Sequence, residues 1–137
     1  MAKQVKQPKK TQAKKTVKKK KNESTVLAEA VIEGLQEKKG REIAWLNLQK
    51  IEGAVCDHFI ICEAGSTTQI EALSRSVEET VQKRTGQKPW HSEGKQNAQW
   101  ILIDYVSVVV HIFQSEMRQF YNLEGLWADA EVMEVKD

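Results

Sequence analysis

The 137-residue chain has 21 basic and 19 acidic side chains, and its formal net charge of +2 averages two very different parts. Residues 1–22 carry ten lysines and no acid, whereas residues 23–137 carry 11 basic and 19 acidic groups, a net charge of −8. A body of this length fits one domain, which excludes an enzyme with separate cofactor and substrate domains. No apolar run approaches the roughly 20 residues that a membrane span needs, so no transmembrane segment is expected.

The lysine-rich segment at residues 1–22 is predicted to be disordered. Its like charges repel one another, and its few apolar side chains cannot offset the entropy cost of ordering. Such an arm suits nonspecific contact with the phosphate backbone of RNA, or it is a solubilising tail without a fixed partner, and the sequence leaves both interpretations open. The segment lacks the apolar core of a secretory signal peptide, so a cytoplasmic protein is expected.

Apolar periodicity predicts helices and strands in alternation between residues 24 and 86. The stretch 57–62 is apolar on both faces, which is typical of a central strand. A turn with a helix N-cap follows this strand, and a glycine ends the next helix. The predicted elements are a helix from an N-cap at Ser24 to Gly40, a strand over 43–48, a central strand over 57–62 and a helix from Ser66 to Gly86.

In the second half, two apolar strands adjoin so closely that a tight turn must fall near residues 104–107. The order of elements predicts an α/β domain over 23–130, with a mixed sheet of about five strands flanked by helices. The remaining elements are a short extended piece at 89–91, strands over 99–105 and 106–113, a helix from 115 to 127 and a loose acidic end at 131–137.

The turn at Gly65-Ser66 has the form of a phosphate-binding turn, because a helix N-terminus offers free N–H groups to phosphate. Nucleotidyl transfer also needs two or three carboxylates to hold magnesium, typically an Asp-x-Asp on a core strand. The strand over 100–104 offers one carboxylate, Asp104. A capping role for Ser66 is the simpler interpretation, and a residual phosphate-ligand enzyme is kept as an alternative hypothesis.

Cys56, His58 and Cys62 raise the question of a metal site. Their even spacing predicts both cysteines on the same face of an extended strand, among core residues. A structural zinc site needs more ligands, so two reduced core cysteines are expected, with no metal and no cofactor. His111 alternates with apolar neighbours, which favours a hydrogen-bonded core histidine over a general base.

A binding surface has better support. Alternation places Trp100, Leu102 and Asp104 on one face of their strand, and Tyr105 on the other. An exposed aromatic, aliphatic and acidic set is typical of a protein-binding surface, but helices on both sides of the sheet would bury both faces equally well. The acidic body favours a basic partner.

Four blocks in the same order resemble the Iojap family, the ribosomal silencing factors, over about residues 24–130. The resemblance implies a nucleotidyltransferase-like α/β fold without the catalytic carboxylates, and a protein that is not an enzyme. The blocks are Asp57-x-Phe59-Ile60-Ile61-Cys62 with Gly65 and Ser66; Glu93-Gly94 with Trp100-Ile101-Leu102-Ile103-Asp104-Tyr105; Val108-Val109-Val110-His111-Ile112-Phe113; and Glu116-x-Arg118-x-Phe120-Tyr121-x-Leu123-Glu124-x-Leu126-Trp127.

The resemblance further implies binding to the large ribosomal subunit through its protein fourteen. The bound factor would block joining of the small subunit and repress translation, and family members often form homodimers. A tail-driven, nonspecific nucleic-acid-binding protein is the remaining alternative. Carried over by position, the contact candidates are Glu93, Gly94, Trp100, Leu102, Asp104 and Tyr105, with Glu116, Arg118 and Tyr121 as residues of contact or structure.

Two positions depart from the family pattern. Asn47 stands where the family usually has an aspartate in its first strand, which removes a charge and leaves the apolar pattern intact. Thr68 and Gln69 replace a frequent basic residue after the Gly-Ser turn, so a contact at that turn is in doubt.

Overall fold

Two long helices and six strands form the part of the chain that the computed structural model describes, residues 22–117 and 129–135. Residues 115–117 add one helical turn, and the rest of the helix predicted over 115–127 lies outside the described residues. The elements are α1 (Glu23–Glu37), β1 (Arg41–Asn47), β2 (His58–Ala64), α2 (Thr67–Thr85), β3 (His91–Glu93), β4 (Trp100–Asp104), β5 (Val108–Gln114) and β6 (Glu131–Met133).

The strands form one mixed sheet in the order β3-β4-β5-β2-β1-β6. Strands β2 and β5 pair in parallel, and the other neighbours pair antiparallel. The predicted mixed α/β architecture is confirmed, as is the central place of β2. The sheet has six strands instead of about five, because β6 pairs with β1 where a loose acidic end was predicted. A three-residue strand has too little pattern to be recognised in the sequence.

Helix α1 begins two residues earlier than predicted. Its N-cap is Asn22, whose side-chain oxygen accepts a hydrogen bond from the backbone N–H of Thr25 at 2.9 Å. Ser24 lies inside the first turn and donates its hydroxyl to the same oxygen at 3.0 Å. Asparagine and serine are equally good caps, so the sequence alone could not decide between them.

Helix α2 has the ends that were predicted. The Ser66 hydroxyl oxygen accepts from the backbone N–H of Gln69 at 3.2 Å, and Gly86 follows the helix in the left-handed conformation, with φ +76°. The predicted capping role of Ser66 is therefore confirmed.

Helices α1 and α2 pack against each other and against the same face of the sheet. The two helices approach each other closely at Gly34, where an added Cβ would lie 2.8 Å from the Cα of Val77. We call this side the helix face; its buried strand residues include Ile60, Ile101 and Val110.

We call the other side of the sheet the loop face, because residues of the loop between β1 and β2 pack on it. Its buried cluster joins loop residues to side chains of β1, β2 and β5. Its members among the described residues are Leu46, Leu48, Cys56, Phe59, Ile61 and Phe113.

Both cysteines are buried thiols, as expected, but they do not share a face. Cys62 lies in the helix-face core, whereas Cys56 lies in the loop-face cluster. The prediction of a shared face is wrong because Cys56 precedes β2, so strand alternation does not extend to it. Within the described ranges, no helix is both long and apolar enough to cross a membrane.

Candidate functional site

Strand β4 alternates between a fully buried and a partly exposed side. Ile101 and Ile103 are 0% exposed on the helix face. Trp100, Leu102 and Asp104 point the other way and are each half-buried. Of the two interpretations that the sequence left open, the structure supports the one in which this side remains accessible.

Cross-strand pairing brings Glu93 onto the same surface. Directly opposed residues of antiparallel strands point to the same face. Glu93 of β3 is opposite Leu102 of β4, which is opposite His111 of β5. The adjacent row joins His91 to Asp104 in the same way. Glu93, Trp100, Leu102 and Asp104 therefore form one surface on the loop face, which we call the loop-face site.

A hydrogen bond fixes the orientation of Trp100. Its indole Nε1–H donates to Nδ1 of His111 at 2.9 Å, so the neutral imidazole carries its own proton on Nε2. The His111 ring lies between Phe59 and Phe113, with ring centroids 4.9 Å and 5.8 Å away. Burial lowers the pKa of His111 to about 4, and the Asp104 carboxylate opposes this shift weakly. The interpretation of His111 as a hydrogen-bonded core histidine is confirmed.

The turn between β4 and β5 falls where the sequence predicted it. The backbone N–H of Tyr105 donates to the carbonyl of Val108 at 2.9 Å, and a carboxylate oxygen of Asp104 accepts from the N–H of Val106 at 2.7 Å. Val106 has φ +76°, a conformation that strains a β-branched residue. Asp104 thus has a structural task, because it closes the turn that holds Val106 in this conformation.

Gly94 helps to position the loop-face site through its backbone conformation. It has φ +86°, and an added Cβ would lie 2.0 Å from the carbonyl oxygen of Trp100. Its own carbonyl accepts from the N–H of Ala98 at 2.9 Å, which closes the loop from β3 to β4. Any side chain here would displace Trp100, so Gly94 positions the site without contributing a side chain to it.

The structure does not bring every candidate to this surface. Tyr105 is 5% exposed on the helix face, where its hydroxyl has no hydrogen-bond partner among the described residues. Burial raises the pKa of this phenol, and Glu78 raises it further. The Tyr105 side chain therefore lies in the helix-face core and not on the loop-face site. Glu116 is exposed after β5, and Arg118 and Tyr121 lie outside the described residues.

Three exposed apolar side chains near the site were not singled out from the sequence. Val55, Trp90 and Val106 line a cavity of about 320 Å³ together with Asp104 and Val109. Each lies in a loop, where an apolar residue carries no periodic signal. Only their proximity in the fold distinguishes them from scattered surface residues, which need no explanation.

The turn at Gly65-Ser66 lacks the surroundings of a phosphotransfer site in the described part of the chain. No group of three His, Cys, Asp or Glu residues there could hold a metal ion. The Ser66 hydroxyl is used in capping α2, and Arg41 beside the turn donates to the hydroxyl of Ser115 at 3.2 Å. The role that the structure shows for Ser66 at this turn is the capping of α2.

Comparisons with known proteins agree with the resemblance seen in the sequence. A sequence model of the family described as "Ribosomal silencing factor during starvation" matches residues 19–137. The ribosomal silencing factor of Halalkalibacterium halodurans is 34% identical over 110 residues, which are 80% of this chain and 92% of that protein. The chloroplastic protein Iojap of maize is 39% identical over 77 residues, 56% of this chain and 33% of its own length.

A solved structure shares the fold. A crystal structure of a Chromobacterium violaceum protein superimposes with a TM-score of 0.72 and 28% identity, covering 85% of this chain and 94% of that one. The family match spans the entire described domain, and the bacterial relative is matched over nearly its whole length. The chain therefore belongs to the family of ribosomal silencing factors, to which its four sequence blocks had pointed.

Proposed function

We propose that this protein binds the large ribosomal subunit through protein fourteen of that subunit and thereby blocks joining of the small subunit. The observation that carries the proposal is the loop-face site, where Glu93, Trp100, Leu102 and Asp104 converge on one accessible side of the sheet. An aromatic anchor beside an aliphatic side chain and two carboxylates suits a basic protein surface.

The proposed mechanism is steric and needs no chemical step. The folded body, with its net charge of −8, is attracted to a basic protein and repelled by RNA. Once bound at the intersubunit side, its bulk occupies space that the small subunit must enter. Translation is repressed by occupancy alone, in keeping with the silencing role that the family's description states.

Two further elements belong to the proposal. The ten lysines of residues 1–22 add salt-sensitive affinity for nearby ribosomal RNA, which the acidic body does not supply. A homodimer would compete with the ribosome if it covered the loop-face site. Both elements are separable from the main proposal, because removal of residues 1–22 tests the first and the oligomeric state tests the second.

The main test is subunit joining followed by sucrose-gradient sedimentation. Added protein is expected to shift joined ribosomes to separate subunits in a dose-dependent way. Unchanged joining at saturating protein would contradict the proposal.

The site is tested by Trp100→Ala, which is expected to weaken binding to isolated large subunits by on the order of tenfold. The matched control is Val132→Ala, since Val132 is an exposed apolar residue of β6, at the far edge of the sheet from β4. If both variants bound like the wild type and were folded by circular dichroism, the loop-face site would not be the contact.

A further inference from the structure

Three loops bring apolar side chains to the same end of the sheet. Val55 precedes β2, Trp90 precedes β3 and Val106 precedes β5, and their exposed fractions are 80%, 73% and 61%. We call these three residues the sheet-end patch. Large apolar side chains at such exposure cost solubility, so their convergence on one cavity needs a reason beyond chance scatter.

Backbone hydrogen bonds hold the three loops in fixed relation. The N–H of Trp90 donates to the carbonyl of Asp104 at 2.8 Å, and the N–H of Asp57 donates to the carbonyl of Ser107 at 2.8 Å. The first bond ties the loop before β3 to the end of β4. The second ties the loop before β2 to the turn that carries Val106. The patch is therefore pre-organised, which lowers the entropy cost of binding a partner.

Backbone strain at Val106 also supports a binding role for the sheet-end patch. Val106 has φ +76°, a left-handed conformation that strains a β-branched residue. A glycine would avoid the strain but would leave no side chain at the tip of the turn. Retained strain in an exposed turn is typical of a surface that contacts a ligand or partner.

Carboxylates border the patch. Asp104 lines the cavity with the apolar residues. Burial raises the pKa of Cys56, the neighbour of Val55, and the charges of Asp57 and Asp104 raise it further, so both carboxylates lie close to this end of the sheet. Lys88 lines a different groove, beside α2. An apolar platform edged by negative charge is complementary to a side chain with an apolar stem and a cationic head.

We propose that the sheet-end patch binds a lysine- or arginine-bearing segment of the ribosomal partner protein. The stem of the basic side chain lies on Trp90 and Val106, and its head pairs with Asp104. The inference rests on the proposed function and deepens it, since it adds a second contact region and states the chemistry of the partner. RNA is a poor occupant, because its phosphates would meet the carboxylates.

Continuity with the loop-face site supports one shared partner. Asp104 belongs to both surfaces. Its carboxylate accepts a hydrogen bond in the turn that carries Val106, and its position in β4 places it on the same side of the strand as Leu102. A stable interface buries about 800 Å² on each partner, which is more than four side chains provide. The sheet-end patch extends the loop-face site to the end of the sheet.

The test measures binding of full-length variants to isolated large subunits by co-sedimentation. Trp90→Ala is expected to weaken binding by on the order of tenfold, and Val106→Gly severalfold, while Val132→Ala remains close to the wild type. Asp57→Asn is expected to bind more weakly and with a shallower salt dependence. Thermal melts accompany each variant, and Val106→Gly should be at least as stable as the wild type, so its loss of binding could not come from unfolding.

The possible failures are distinguishable. Normal binding by Trp90→Ala and Val106→Gly, with impaired binding by Trp100→Ala, would overturn the patch and leave the proposed function standing. Absence of binding by the wild type would overturn both. Sedimentation velocity on the free protein tests whether the patch instead binds a second copy of this chain. If Trp90→Ala dissociated a dimer and left binding to the large subunit intact, the inference would be wrong.

Discussion

The two faces of the sheet each carry a tryptophan that donates its indole N–H to a histidine. On the helix face, Trp45 donates to Nδ1 of His58 at 2.9 Å; on the loop face, Trp100 donates to Nδ1 of His111 at the same distance. Trp45 is 8% exposed and belongs to the core under the helices, whereas Trp100 remains half-buried at the surface. The same hydrogen bond stabilises a core in one place and orients a candidate contact residue in the other.

The surroundings of the two pairs explain the difference. His58 is enclosed by α1, and the hydroxyl of Thr25 lies 3.5 Å from its Nε2. His111 instead lies against the aromatic rings of Phe59 and Phe113, and Trp100 beside it stays partly exposed. In the described part of the chain, helices cover one face of the sheet, and aromatic rings support the other face, where Trp100 stays partly exposed.

The largest expected effect is a difference in stability between alanine substitutions at two adjacent positions of β4, one on each face of the sheet. Ile103→Ala removes a fully buried side chain from the helix face and should lower the free energy of unfolding by about 4 kcal/mol. Leu102→Ala removes a half-buried one and should cost about 1 kcal/mol, while weakening binding to the large subunit. Urea denaturation and co-sedimentation measure the two quantities. Equal losses of stability would show that both faces are core.

The next expected effect is a pH dependence. The pKa of His111 is about 4 in the folded protein and about 6.5 in the unfolded chain, so between these values the unfolded state binds a proton that the folded state does not. His111 therefore favours folding above pH 6.5, and this contribution falls by roughly 3 kcal/mol as the pH drops to about 4. Burial also lowers the pKa of His58, which acts in the same direction.

His111→Asn isolates the loop-face part of this effect, because asparagine keeps an oxygen acceptor for Trp100 and does not titrate. The difference in unfolding free energy between the wild type and this variant is measured from pH 7 to 4. This difference in unfolding free energy should become smaller as the pH falls from 7 to 4. Carboxylates titrate in both proteins, so their contribution cancels in the difference. A constant difference would mean that His111 titrates normally in the folded state.

Sequence patterns predicted the helix face better than the loop face. Alternation along β4 and the caps of α2 follow from local chemistry, so the division of β4 into two sides and the helix ends Ser66 and Gly86 were predicted. Alternation also placed Tyr105 on the face opposite to Trp100, and only the family resemblance added it to the contact candidates. The structure agrees with the alternation, because the Tyr105 side chain is buried on the helix face.

The sheet-end patch could not be predicted in this way. Val55, Trp90 and Val106 are far apart in the chain, and what they share is the end of the sheet at which their strands begin. That proximity depends on the strand order, and the parallel pairing of β2 with β5 brings two of the three loops together. Local periodicity in the sequence predicts neither the strand order nor the pairing direction.

The smallest expected effect concerns the strained turn of this patch. Val106→Gly removes left-handed strain of about 1–3 kcal/mol and adds about 0.5–1 kcal/mol of unfolded-chain entropy, so a net stabilisation of about 1 kcal/mol is expected. Val132→Gly is the matched control, because Val132 is 71% exposed and is not among the described residues with positive φ. It should instead lose about 0.5–1 kcal/mol. If the urea midpoints of these two valine-to-glycine variants moved in opposite directions, the chain would be shown to retain a less stable turn that keeps Val106 on its surface. If both midpoints fell, the turn would be shown not to be strained.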